Sequence, residues 1–333
     1  MFVMKNLINY FILFSISGFG QITQLEFDKA IKLNNSNNLA TATKNLLALE
    51  TKFPIDSKVF FLKGMLSYIK KDYNQSIINL TKSIALNPKF TKAYVARSTT
   101  YATLENYEQA IIDQSKAIVL EPKNLDFLSN RAYFYSENKQ FTESLNDLKF
   151  KIKLQPNNIT NYLEAVICSK KIDQSYNVDV FFEQALNAKT INKNKVEKLF
   201  ADYLLDNSRF QEAEIKYKKA LATNENDFNA NDYQNLAIVS EKIQNFEASI
   251  GYYKKAISKS PKNILIYNNL SSIYIELKRW HELKENAESS LEISPNDAMA
   301  NMYMAIGLKY TGKENLAIEY EAKSKEIDNI KSK

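Results

Sequence analysis

Glycine and proline occur six times each in these 333 residues, and cysteine, histidine and tryptophan once each. A lone cysteine, Cys168, excludes an internal disulfide; beside Val166 and Ile167 on a predicted helix it reads as a small buried hydrophobe. The lone histidine, His281, stands next to Trp280 in a predicted turn between helices. By itself it does not build a metal site, which needs several His, Cys or carboxylate ligands converging. There is no GxGxxG, Walker loop or GxSxG elbow, and a Ser-His-Asp centre would have to recruit His281 with no supporting motif. Carboxylate pairs such as Glu282 with Glu285 and Glu319 with Glu321 read as solvated helix faces. Only four residues are arginine (Arg97, Arg131, Arg209, Arg279), without the arginine–aromatic clusters of nucleic-acid readers. The net charge of +6 is spread over 44 basic and 38 acidic residues, interleaved as on solvated helices. No stretch alternates at period two with strand chemistry. These absences point away from catalysis, cofactors, metals and nucleic acid.

The prolines, though few, are placed regularly: Pro54, Pro88, Pro122 and Pro156 follow one another at 34-residue steps, as do Pro261 and Pro295. A step of this length marks a supersecondary unit copied end to end. Other columns fall in with it. Residues 57–90 carry Gly64, Tyr73, Ser83 and Ile84 at the offsets where 91–124 carry Ser98, Tyr107, Ala117 and Ile118. Residues 125–158 carry Ala132, Phe141, Lys151 and Ile152 there. The interval from Pro156 to Pro261 exceeds three steps by three residues. One inserted residue is expected near Asn194–Ser208 and two near Asp227–Asn229, which restores Phe210, Ala213, Tyr217 and Phe246, Tyr253, Ala256 to register. Nine units result, the first of them loose. In 159–192 the turn region lacks the usual spacing and Thr190 replaces proline, so that unit is expected to be distorted, with a joint near 186–196.

Within each unit the apolar spacing is helical. Tyr94 and Tyr101 share a face of a first helix, and Ala110, Ala117 and Ile118 line a second. Each helix is about 13 residues long, marginal in isolation. Small residues (Gly64/Ser76, Ser98/Ala110, Ala237/Ser249) let the pair approach closely, while proline ends the second helix. One hairpin leaves an apolar side open, so hairpins must stack. Arg97 precedes Asp113 by 16 residues and Arg131 precedes Asp147 by the same interval, which predicts salt bridges across the helix pair or to the adjacent unit.

These columns closely resemble the tetratricopeptide repeat, over about residues 23–331. The resemblance implies an all-α solenoid of stacked antiparallel helix pairs, coiled into a right-handed superhelix whose concave wall is built from the first helices. The positions on that wall, mostly apolar, would be Phe61, Met65, Tyr68, Val95, Thr99, Tyr133, Leu163, Ile167, Ile238, Leu265, Ser272, Ile275, Met299, Met302 and Ile306. Such a groove suits an extended peptide or protein partner; a glycan or small ligand held inside the superhelix is the alternative. The family's clamp for a C-terminal carboxylate would need Lys and Asn where Val95, Thr99, Gln234 and Ile238 stand, so a chaperone-tail receptor is disfavoured.

The first twenty residues lie outside the array. One lysine (Lys5), an apolar run from about Leu7 to Ile16 and a small-residue end at Gly18 and Gly20 follow the order of a secretory signal peptide. Cleavage is expected after Gly20, giving a periplasmic or secreted chain; the rival is an uncleaved inner-membrane anchor at 7–19. Membrane contact is expected only through that segment. The Asn- and Lys-rich composition resembles exported Bacteroidetes proteins. The expected organisation is a signal peptide at 1–20, a degenerate repeat at 21–56, and array segments at 57–192 and 193–333, the latter closing on a polar cap helix.

Overall fold

The structure is a computed structural model that describes residues 39–53 and 55–331. The expected signal segment at 1–20 and residues 21–38 of the expected loose repeat fall outside these residues. Among the described residues all regular structure is helical. In chain order come α1 (Leu39–Lys52), α2 (Ser57–Ile69), α3 (Tyr73–Leu86), α4 (Thr91–Thr103), α5 (Tyr107–Leu120), α6 (Leu125–Glu137), α7 (Phe141–Leu154) and α8 (Ile159–Ile172). There follow α9 (Asp179–Asn187), α10 (Lys193–Asp206), α11 (Phe210–Thr223), α12 (Ala230–Lys242), α13 (Phe246–Lys259), α14 (Ile264–Glu276), α15 (Trp280–Ile293), α16 (Ala298–Tyr310) and α17 (Glu314–Lys331).

The 34-residue step now has a physical composition. A regular unit is a 13-residue first helix, a three-residue turn, a 14-residue second helix and a four-residue linker. The three extra residues are visible too. First helix α10 has 14 residues instead of 13. The linker from α11 to α12 is two residues longer and coils into a 3-10 turn at Glu225–Asp227. Residues 159–192 keep the step but divide it differently: α8 has 14 residues and α9 only nine, with six between them.

Each three-residue turn is closed in one way. Its middle residue adopts a left-handed conformation: Lys71, Glu105, Lys139, Ser208, Gln244 and Lys278 have φ between 55° and 63°, and Gly312 has φ 81°. This geometry ends the first helix and brings the next N–H back to the carbonyl five residues earlier. Asp72 N donates to Ser67 O at 2.9 Å, and Arg279 N to Tyr274 O at 2.8 Å. Orphan helix-end carbonyls are thereby satisfied. The abundant asparagines find work at helix starts. Asn124, Asn192, Asn229 and Asn263 cap first helices by accepting backbone N–H groups, and Asn106 and Asn245 cap second helices. Each such cap contributes about 1 kcal/mol.

The chain divides into two compact units. The first comprises the described residues up to Gln155 with Leu163–Tyr176, and the second 156–162 with Asn177 onward. In the first, Leu46, Leu49, Val59, Phe61, Leu66, Leu80 and Ala96 form one buried cluster over α1–α4, with Phe90 packed against it. The small-residue column explains how closely helices meet there: a Cβ on Gly64 would lie 2.5 Å from Leu80 Cγ. In the second unit Tyr217, Tyr233 and Tyr253 are wholly buried, as are Ala213, Ala237 and Ala256.

Candidate interaction surface

The side chains that the resemblance assigns to a groove are unequal. In the first unit Tyr133 and Ile167 stand open at 40% and 62% exposure. Met65, Tyr68, Val95 and Leu163 are half-buried. Phe61 and Thr99 are not open at all, which corrects their assignment to the groove. Phe61 is 2% exposed because its ring meets Phe90, centroids 5.2 Å apart, inside the α1–α4 core. Thr99 turns its hydroxyl to its own helix, donating to Val95 O at 2.9 Å. Tyr68 pairs its hydroxyl with Thr103 Oγ1 at 3.0 Å, linking α2 to α4.

In the second unit Leu265 and Met299 are open at 66% and 50%, and Ser272 is exposed. Ile238, Ile275, Met302 and Ile306 are half-buried. Ser272 Oγ bonds to Asn268 O and lies 3.2 Å from the Tyr303 hydroxyl. One turn away, Asn268 Oδ1 is buried with no hydrogen-bond partner among the described residues. A buried acceptor without a donor is costly, about 1–3 kcal/mol, and becomes favourable once a donor arrives.

The arginine–aspartate pairs form a separate, inward-facing set. Arg97 Nε and Nη2 donate to Asp113 Oδ2 and Oδ1, both at 2.7 Å, and Arg97 Nη1 donates to Thr81 Oγ1 of the preceding hairpin at 2.8 Å. Arg131 repeats this on Asp147 at 2.7 and 2.6 Å, with Ser115 at 3.0 Å. The hydrogen bonds from Arg131 to Asp147 hold its guanidinium above the usual range. Each arginine thus ties its own hairpin together and clips it to the one before.

Sequence reasoning collected apolar wall positions and missed the polar ones. Lys198 Nζ bonds to Asp232 Oδ2 at 2.8 Å, and Asp202 accepts from both the buried Tyr217 hydroxyl and Asn235 Nδ2. Burial and the Asp202 charge push the Tyr217 phenol up, so it stays a donor. The signal was available: Asp202 occupies the same slot as Tyr133 and Ile167. His281 lies not in a turn but in the first turn of α15, whose first residue is Trp280. Trp280 stacks on Tyr310 of α16 at 4.2 Å, leaving His281 exposed. Cys168 is buried, its thiol pushed up by burial, and reaches Phe141 O at 3.3 Å. Among the described residues no group of three or more His, Cys, Asp or Glu side chains is placed to hold a metal ion, and no helix is long and apolar enough to cross a membrane.

The architecture defines the chain as an all-α helical-repeat protein. Residues 57–90 and 91–124 match the family model described as tetratricopeptide repeat. Sperm-associated antigen 1 of Mus musculus is 27% identical over 159 residues, which span 47% of this chain but only 17% of that protein. Among solved structures, a MamA crystal structure is 17% identical with a TM-score of 0.44, covering 56% of this chain and 97% of its own. The Arabidopsis OM64 TPR domain is 26% identical with a TM-score of 0.31, covering 34% and 94%.

Proposed function

We propose that this chain is a non-enzymatic scaffold that holds an extended peptide or a protein partner against the first-helix faces of its hairpins, in the periplasm or cell envelope. The observation that carries this reading is the row of open apolar side chains on first helices: Tyr133 and Ile167 in one unit, Leu265 and Met299 in the other. These positions project from rigid hairpins, so they offer contact area at little ordering cost. In the second unit the exposed Ser272 hydroxyl adds a polar contact for a partner. The matched family is a repeat family, whose fold is typical of protein–protein interaction. The envelope location rests on the leader-like residues 1–20 of the sequence.

The test is partner recovery from the native envelope by tagged protein, comparing wild type with Tyr133→Ala/Ile167→Asp and with Leu265→Asp/Met299→Asp. Loss of one shared partner in both variants, with unchanged thermal unfolding, is the expected result. Unchanged recovery in both, or saturable binding of envelope oligosaccharides to the same face, would overturn the reading.

A further inference from the structure

Second helices α3, α5 and α7 of the first unit bury one face and leave the opposite face open. The buried faces carry Ser76, Leu80 and Ser83; Ala110, Asp113 and Ala117; and Ser144, Asp147 and Leu148. Exposed on the other side are Ile78, Lys82 and Leu86 with Lys89 just beyond; Ile112, Lys116, Val119 and Leu120 with Lys123 just beyond; and Lys149, Phe150 and Lys153. Spacings of three and four put each set on one stripe of its helix. Val119 is 76% exposed.

None of these six lysines enters an ion pair among the described residues. Lys82 alone has a ring beneath it, Phe60 at 4.1 Å. The acids on the same side are Glu108 and Glu143, one turn toward the helix starts, and Glu121 in a linker. Of the other unit's second helices, α13 also shows lysines outside any ion pair among the described residues, Lys254 and Lys259, but α11 and α15 differ. Lys216, Lys218, Lys219 and Lys255 are paired with carboxylates, and the outer side of α15 presents Glu285, Glu288 and Glu292.

We propose that the outer face of α3, α5 and α7 docks on an anionic lipid surface. Sequence reading places membrane contact only at the leader; this is a second contact, built by the folded array. Two features select lipid over an acidic protein. The apolar side chains are separated along each helix by lysines, so they form no continuous socket for a partner's anchor residue, the feature that concentrates binding energy in protein interfaces. A bilayer surface accepts each protruding Ile, Val or Phe separately, while lysines lie along it with their ammonium groups among the phosphates.

The test is co-sedimentation of the full-length protein with vesicles. One set holds equal parts phosphatidylglycerol and phosphatidylcholine, the other phosphatidylcholine alone. Binding should be at least about 10-fold tighter on the anionic vesicles and fall steeply as salt approaches about 0.5 M. Lys82→Gln/Lys116→Gln/Lys123→Gln should weaken it by about 10- to 100-fold. Lys254→Gln/Lys259→Gln/Lys262→Gln, an equal charge change in the other unit, should leave it nearly intact. Ile112→Ser/Val119→Ser should cost several-fold at constant charge, and exposed positions such as these leave folding unaffected. Equal binding to neutral vesicles, or equal loss from both lysine triples, would overturn the proposal. So would indifference to vesicles combined with retention on a polyglutamate resin through Lys82, Lys116 and Lys123, which would mark an acidic protein as the occupant.

Discussion

The same pair of positions, 16 residues apart on the two helices of a hairpin, is bridged by bidentate salt bridges in the first compact unit and by none in the second. In two hairpins of the first unit it is ionic, Arg97 with Asp113 and Arg131 with Asp147, both bidentate and largely buried, while Lys63 and Asn79 hold it in α2–α3. In the second, Phe200 and Lys216 hold it, the ammonium 4.6 Å over the ring. Leu236 with Tyr252 and Met304 with Tyr320 fill the same slots further on. The hairpin therefore does not require a salt bridge between these two positions. Where charge is used, each partner depends on the other, because a buried carboxylate left alone has no water to turn to.

That dependence gives the largest expected effect. Arg131→Met should destabilise the first unit by about 3 kcal/mol, since it strands Asp147 and releases Ser115, whereas Arg131→Met/Asp147→Leu should recover most of the loss. Leu236→Met, at the apolar version of this slot in the second unit, should cost less than about 1.5 kcal/mol, because no buried charge is stranded. Denaturant unfolding read by hydrogen exchange at each unit separates the two; similar losses in both would erase the distinction.

Close helix approach comes next. Ala117, wholly buried in α5, should lose about 1–3 kcal/mol on Ala117→Trp through overpacking. Two helical glycines, Gly64 and Gly251, sharpen the contrast between regions. Gly64→Ala should destabilise by about 1 kcal/mol net, because the new methyl drives into Leu80. Gly251→Ala on α13, where nothing lies within 4 Å, should stabilise by up to about 1 kcal/mol. Thermal melts with the same sign for both would show that the packing at Gly64 is looser than its geometry implies.

The smallest effect concerns the turns. Lys139 sits at φ 60° and Gly312 at φ 81° in equivalent turns. Lys139→Gly should stabilise by a few tenths of a kcal/mol up to about 1, and Gly312→Ala should cost about 1, because a side chain in the left-handed region meets its own backbone. An unchanged melt for Gly312→Ala would mean the turn relaxes.

Periodicity was legible because it is carried by residues with few substitutes. Proline marks the linker, and small residues mark the helix crossing, so the repeat, the helical class and even the three inserted residues could be placed. The arginine–aspartate pairs were legible because their spacing recurs. Exposure was not legible. Phe61 occupies a wall slot but is covered by Phe90, 29 positions later in the chain, and a slot number does not say what the neighbouring hairpin lays over it. The left-handed turn residues were equally silent, since Lys, Glu, Ser and Gln carry none of the signal that glycine would. The polar wall around Asp202 and Asn268 was passed over because attention to apolar side chains hides polar ones that share their slots.

Whether partners meet the first-helix faces is tested most directly by a photo-crosslinking amino acid placed in living cells at Tyr133, Ile167, Leu265 and Met299, and at the second-helix positions Ile215 and Gly251 for comparison. A common protein adduct is expected from the first-helix sites and none from the second-helix pair. Adducts of equal yield from both sets, or only from Ile215 and Gly251, would contradict it.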